Sequence, residues 1–208
     1  MTARLSRLQQ LLLCSWGALL LSGIAGIGWW NSQPGLSASS PARWPAGSVF
    51  LRSTRKTLIV FLHPQCPCSR ATVRVLERLA ARLHGRVDMH ALLLVPGSSP
   101  KGEAPSADAF TTSNLLESLD AIPGLLVHTD PGAREAKRFG ATTSGHVVLY
   151  DEAGRLRFAG GITASRGHEG DSDALAALAQ QIDRPAAMTT LDQIKTATLG
   201  CPLFSKEP

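Results

Sequence analysis

No Asp or Glu precedes Glu77, whereas Arg4, Arg7, Arg43, Arg52, Arg55, Lys56, Arg70 and Arg74 all do, so the net charge of +5 is unevenly spread along the 208 residues. Beyond Glu77 acids and bases alternate, no Lys/Arg run forms, and aromatic residues are only 5% of the chain. A nucleic-acid binder needs a basic stripe or a stacking platform, so that class is set aside. Cysteine is also scarce: four residues are too few for a disulfide scaffold. There are no internal repeats, which removes solenoid architectures. What is present is apolar: hydrophobic residues make up 44% and charged residues 18%, enough to bury a core and too apolar for a disordered polymer. The length suits one domain with something added.

The addition comes first. From Leu11 to Trp30 the sequence LLLCSWGALLLSGIAGIGWW carries no charge. Twenty helical residues rise about 30 Å, the thickness of a bilayer's hydrocarbon core. Arg4 and Arg7 lie before this run, and Trp29 and Trp30 end it where an aromatic belt would sit. The asymmetry predicts residues 1–10 in the cytoplasm, a transmembrane anchor over 11–30, and a single-pass inner-membrane protein whose domain faces the periplasm. A cleaved signal peptide is the rival reading, with a cut near Ser37–Ser39; its apolar region is usually about 7–15 residues, shorter than this one. Cys14, near the start of the run, reads as a small apolar residue. Residues 31–48, rich in Pro, Ser and Gly, read as a linker.

Lys56–Leu62 is a short β-branched run typical of a buried parallel strand. From Ser69 onward Val73, Leu76, Leu79, Ala80 and Leu83 recur at helical spacing, opposite Arg70, Arg74, Arg78 and Arg82, up to Gly85. Val87–Val95 is a second strand, Pro96–Ala107 a loop, and Thr112–Leu119 a modest helix. Leu125–Asp130 is a third strand, and a short helix runs from Pro131 to Gly140. Two strands then flank a turn at Glu152–Gly154, and Asp173–Ile182 is the last helix, with Asp171 or Ser172 as its N-cap. This order predicts an α/β sandwich with a mixed central sheet over 49–184, followed by a tail, 185–208, that contains Cys201.

The dense chemical signal is His63-Pro64-Gln65-Cys66-Pro67-Cys68-Ser69-Arg70, between a buried strand and a helix start. Unpaired N–H groups and the helix dipole favour an anion there, so a thiolate is stabilised and becomes the reactive species. Arg70 and Arg74 can add positive potential, and Pro67 suits the first helical position. Cys66, Cys68 and Cys201 make an odd count outside the apolar run, which suggests a free thiol, a partner or a metal. A Cys66–Cys68 pair could close as a small strained disulfide; alternatively Cys201 pairs with Cys66. His63 could accept a thiol proton or bind metal. His90 and His128, within apolar strand runs, read as structural, and His168 and Glu169 as weak functional candidates in the loop Gly160–Asp171.

Strand, Cys loop, helix, strand, helix, strand, helix, hairpin and helix together resemble the thioredoxin superfamily, in its TlpA/peroxiredoxin-like branch. More narrowly, HPQCPCSRA, TSGHVVLYD and GGITASRGHEGDS resemble bacterial membrane-anchored RedB proteins, a likeness that implies no particular reaction. The resemblance spans roughly Val49–Ile182. It implies that Cys66 holds the nucleophile position and that Ser69 stands where thioredoxins carry the resolving cysteine. His63 falls where peroxiredoxins carry a Thr or Ser that assists the peroxidatic cysteine. The family's cis-proline register falls here on Ser144-Gly145-His146, without proline, which leaves room beside the sulfurs for another group.

The expected function is an exported, membrane-tethered thiol–disulfide oxidoreductase: Cys66 attacks, Cys68 or Cys201 resolves, His63 assists, no cofactor is needed, and the partner is a protein disulfide or redox protein. The alternative is a copper- or zinc-binding protein of the same fold, with Cys66, Cys68, His63 and His146 converging as ligands. A peroxidase comes third, because the residue three before Cys66 is His rather than Thr or Ser.

Overall fold

The computed structural model describes residues 6–36, 39–50, 53–83, 85–96, 114–185 and 193–204. The chain divides into two compact units, Met1–Gln33 and Pro34–Pro208.

The first unit is one helix, α1 (Arg7–Ser32). Ser6 caps it: its hydroxyl accepts from the Gln9 N–H, and the Gln9 side chain accepts from the Ser6 N–H, which occupies two of the donors a helix start leaves unpaired. None of its residues is buried, and its most apolar stretch has a mean hydropathy of 1.9. It is long and apolar enough either to span a membrane or to be a signal sequence.

The second unit is built on six strands, β1 (Thr57–Leu62), β2 (Asp88–Val95), β3 (Leu125–Pro131), β4 (His146–Tyr150), β5 (Leu156–Gly160) and β6 (Ile194–Lys195). Their order is β3-β2-β1-β4-β5-β6. β1, β2 and β3 are parallel, β4 is antiparallel to both β1 and β5, and β6 runs parallel to β5. Among the described residues its helices are α2 (Pro67–Leu83), α3 (Asn114–Asp120), α4 (Arg134–Arg138) and α5 (Asp173–Asp183). Alternation along the strands divides the core between the two faces of the sheet. Leu58, Val60, Leu62, Val147 and Leu149 pack with α2, α3 and α5 through Val73, Leu76, Leu119 and Leu178. Ile59, Phe61, Val148 and Tyr150 pack on the other face with Ala136 and Phe139. This is the mixed α/β sandwich expected from the order of elements.

Local chemistry explains the joints. The Asp130 carboxylate accepts from the Glu135 and Ala136 N–H groups, both at 2.9 Å, and so caps α4. Ser172 is the N-cap of α5, accepting from the Leu175 N–H at 3.0 Å. Asp151 turns the β4–β5 hairpin by accepting from the Ala153 and Arg155 N–H groups. α2 begins at Pro67, two residues earlier than its apolar spacing suggests, because proline needs no N–H partner in a first turn. The strand β6 and the chain after it have no periodic signal; they form because Gly160 lets that segment lie flush on β5. A side chain at Gly160 would meet the Thr196 carbonyl at 2.2 Å. Most of the Pro96–Ala107 loop lies outside the described residues, as does the start of the helix expected from Thr112.

Of the residues expected to be a linker, 34–36 and 39–48 instead pack onto this unit, as does Phe50. Trp44 stacks edge-on against Phe139 at 5.2 Å and Tyr150 at 5.3 Å, and the Tyr150 hydroxyl donates to the Pro41 carbonyl. His90 and His128, read as structural, share a hydrogen bond of 3.0 Å and stack beside Phe50.

Candidate active site

Cys66 is the residue just before α2, so its side chain occupies the N-cap position. The turn into it closes by hydrogen bonds from the Cys66 N–H to the His63 carbonyl at 3.1 Å and from the Ser69 N–H to the Cys66 carbonyl at 3.0 Å. The Cys66 sulfur is approached by the backbone N–H groups of Cys68 and Ser69, the N2 and N3 donors that a helix offers its cap. Ser144 braces the turn: its hydroxyl accepts from the His63 N–H at 2.9 Å and shares a hydrogen bond of 2.7 Å with the Ser69 hydroxyl, which also donates to the His63 carbonyl.

The third cysteine arrives from the far end of the chain. The Ser144 N–H donates to the Cys201 carbonyl at 2.8 Å and the Leu203 N–H to the Thr142 carbonyl at 2.9 Å. Between them Thr143 and Pro202 form an antiparallel bridge. This pairing sets the Cys201 thiol and N–H against the Cys66 sulfur, and the Cys68 thiol also interacts with it. All three cysteines are free thiols, and Cys66 is only 3% exposed.

The three sulfurs differ in acidity. Burial pushes the Cys66 thiol up, but the hydrogen bonds from Cys201, Cys68 and Ser69 outweigh it, and its pKa falls below the ordinary thiol value. Cys68 is raised by burial and by the charge of Cys66 beside it. Cys201 is raised to about 12 by burial, by its hydrogen bond to Cys66 and by the neighbouring negative charge. The Arg166 guanidinium opposes both increases, and the Gly167 N–H also favours the Cys68 thiolate. Cys66 is therefore the most acidic of the three thiols.

The histidines do not complete a metal set. His146, 2% exposed, has both ring nitrogens engaged, Nε2 with the Ser40 hydroxyl at 2.9 Å and Nδ1 with the Thr198 hydroxyl at 3.0 Å. It lines a cavity of about 230 Å³ with Pro34, Gly35 and Thr196, and burial lowers its pKa to about 4. The expected convergence of His146 with Cys66 and Cys68 is thus corrected: the pleat directs the ring to two hydroxyls, one on each terminal segment. His63 stays at the turn, where Nδ1 accepts from the Gln65 N–H at 3.2 Å, and burial lowers its pKa. It is not among the groups that set the acidity of any of the three thiols. Among the described residues no group of three or more His, Cys, Asp or Glu side chains is arranged to hold a metal ion.

Arg166 is a functional candidate that the sequence marks only as one of four polar groups, with His168, Glu169 and Asp171, crowded into six residues. It lies in the polar loop Gly160–Asp171, and its guanidinium donates to the Gly200 carbonyl at 2.6 Å. The only sequence signal for it is that crowd of polar groups, in which His168 and Glu169 stand out instead; both are exposed. Arg74 pairs with Glu77 across one turn of α2, and Arg70 is exposed.

No family model and no curated protein matches the sequence. Solved structures do match. A hypothetical protein from Sinorhizobium meliloti shares 19% identity, with 82% of this chain and 93% of that chain covered at a TM-score of 0.54. An uncharacterized conserved protein from Geobacillus kaustophilus also shares 19% identity, with 85% and 95% covered at 0.54. An exposed lipoprotein thioredoxin from Streptococcus pneumoniae matches at 17% identity, 70% and 100% coverage and a TM-score of 0.44. At these identities the likeness is one of fold.

Proposed function

We propose that the chain is an exported, membrane-tethered thiol–disulfide oxidoreductase of the RedB type, with Cys66 as the attacking thiol and Cys201 as the resolving one. The observation that carries this reading is the unequal acidity of three adjacent thiols, with the most acidic one capping a helix. The Cys66 thiolate attacks one sulfur of a partner disulfide; a mixed disulfide forms, and the other partner sulfur leaves as a thiolate and takes a proton. That step removes the negative charge from Cys66. The charge is one of the causes that keep Cys201 protonated, so consuming it makes Cys201 easier to ionise while Arg166 still favours its thiolate. Cys201 then attacks the Cys66 sulfur, the Cys66–Cys201 bond forms, and the partner leaves reduced by two electrons. A protein dithiol returns the pair to its starting state.

The tether is α1, with Arg4 and Arg7 on the cytoplasmic side and the domain on the outer face. An oxidising outer compartment is where disulfide partners persist. In this reading the partner is a redox protein on that face.

The test uses the full chain in detergent, reduced and then exposed to a small-molecule disulfide. Cys66→Ser should slow exchange by a factor on the order of 10³ or more. Cys201→Ser should leave a mixed disulfide on Cys66, visible by intact mass and peptide mapping. Accumulation in Cys68→Ser instead would transfer the resolving role to Cys68. Three thiols that resist alkylation until a chelator is added would replace this reading with the metal one.

A further inference from the structure

Cys66 is 3% exposed, yet thiol–disulfide exchange requires a partner's sulfur to reach it. Part of what covers it is the chain's own end. Over Leu199–Phe204 that segment is held by the Cys201 carbonyl, which accepts from the Ser144 N–H, and by the Leu203 N–H, which donates to the Thr142 carbonyl. Leu203 is inserted among Phe61, Ala136, Phe139 and Ala141, and Phe204 lies under the Lys137 ammonium at 5.2 Å. The Gly200 carbonyl accepts from Arg166. At Gly200 the backbone approach leaves no room for a side chain: a Cβ would lie 2.1 Å from the Ser144 carbonyl oxygen. The segment thus lies against Thr142–Ser144 through one antiparallel bridge, with bends at Gly200, Leu203 and Phe204, the thiol at the reacting position and Leu203 and Phe204 in side-chain seats.

We propose that Leu199–Phe204 occupies the docking groove of the partner, and that the partner presents an extended segment of the form Gly-Cys-x-apolar-aromatic that takes its place. This rests on the exchange reading above and specifies its substrate. When the tail peels away, the Ser144 N–H and the Thr142 carbonyl become free to pair with an incoming strand, and the seats of Leu203 and Phe204 open with them. An incoming cysteine then sits where Cys201 sat, its disulfide within reach of Cys66. The Cys66–partner bond forms and the partner's other sulfur leaves as a thiolate that takes a proton. Once the partner segment lifts out of the groove, still joined through the mixed disulfide, the tail returns. Cys201 then displaces the partner's remaining sulfur. Docking and resolution alternate in one groove, so the tail acts both as competitor and as resolving arm.

The experiment uses a synthetic peptide with the sequence of residues 198–204, its cysteine blocked as a mixed disulfide with thionitrobenzoate, and a second peptide with Ala in place of the Gly. Release of thionitrobenzoate by the reduced full chain is followed, and peptide mapping identifies the adduct at Cys66. The Gly peptide should react about tenfold faster than the Ala peptide. In the full chain, Gly200→Ala should push the tail out and raise the rate with the Gly peptide several-fold relative to that with the dithiobis compound of thionitrobenzoate, a ratio that cancels the acidity Cys66 loses with the Cys201 hydrogen bonds. Equal rates for the two peptides on the unaltered chain would overturn the proposal, whether or not Gly200→Ala folds. The dithiobis compound of the same thionitrobenzoate, which needs no groove, separates the two levels. Exchange at Cys66 with that compound but no preference between peptides rejects the groove alone. Inertness at Cys66 toward all three rejects the exchange reading and the groove with it.

Discussion

Residues 63–69 and residues 193–204 deliver thiols to the same place by different means. The first segment is local: a strand ends, a turn closes on His63, and a helix start supplies N–H groups to the Cys66 sulfur. From outside these seven residues it takes the Ser144 hydroxyl and the hydrogen bonds that the Cys201 thiol and N–H give the Cys66 sulfur. The second segment has no element of its own beyond the two residues of β6. It is fixed by pairing with β5, by the bridge from Thr143 to Pro202, and by hydroxyl and carbonyl contacts to His146 and Arg166. The local thiol is made acidic by its surroundings, whereas the distant one is kept protonated by its neighbour. A thiol placed by tertiary contacts can be withdrawn without unfolding the element that activates the other. That separation is what a resolving arm requires.

The largest test of the comparison concerns the anchor of the tail. In the unfolded chain the His146 imidazole takes up a proton near pH 6.5, but in the folded chain only near pH 4, because it is buried. Between those values the unfolded state binds the extra proton. Stability that is complete above pH 6.5 is therefore lost as pH falls toward 4, by roughly 3 kcal/mol in all. Urea unfolding of the unaltered chain across this range should show the decline. His146→Gln, which can still bond the Ser40 and Thr198 hydroxyls but does not titrate, should reduce it to the part that His63, His90 and His128, also lowered by burial, contribute. A decline of equal size in the variant would assign the pH dependence to other groups.

A smaller effect tests whether the distant segment tunes the local one. Cys201→Ala removes the thiol hydrogen bond from the Cys66 sulfur and retains the N–H. The Cys66 pKa should rise, so the alkylation rate, which grows with pH as thiolate forms and levels off above the pKa, should level off at higher pH. At pH 7 the expected loss is about tenfold, the scale of one hydrogen bond to a charged group. Cys201→Ser, which keeps a donor, should recover part of it. An unchanged pH profile in Cys201→Ala would leave the backbone N–H groups of residues 68, 69 and 201 as the source of Cys66 acidity.

The contrast between the segments also decides what the sequence reveals. β1, β2 and α2 are legible because burial imposes a period on them, and Pro67 and Ser172 mark helix starts through their own chemistry. The turn carrying Cys66 is legible for the same reason, as a break between two periodic runs. The place of Cys201 is not, because a bridge from Thr143 to Pro202 leaves no pattern in either segment. His146 is misread when position along the chain is considered without the pleat, which assigns it to the face of Val148 and Tyr150. Arg166 is hidden among other polar residues of its loop, since a charge that acts through space has no spacing to betray it.

Arg166 gives the finest test, because it touches both the thiols and the tail. Its guanidinium lowers the pKa values of Cys68 and Cys201 and donates to the Gly200 carbonyl, while Cys66 owes its acidity mainly to hydrogen bonds. Arg166→Gln should therefore change attack by Cys66 little and slow resolution by Cys201 about three- to fivefold, the scale of a partly exposed charge in contact. Stopped-flow exchange with a small disulfide separates the two phases, and only the second should slow. Because the lost interaction is electrostatic, added salt should slow the second phase of the unaltered chain and leave that of Arg166→Gln unchanged. Equal slowing of both phases would instead mean that Arg166 acts by holding Gly200 and, through it, the whole tail. In that case the two segments are a single mechanical unit, and the independence that the resolving arm depends on is lost.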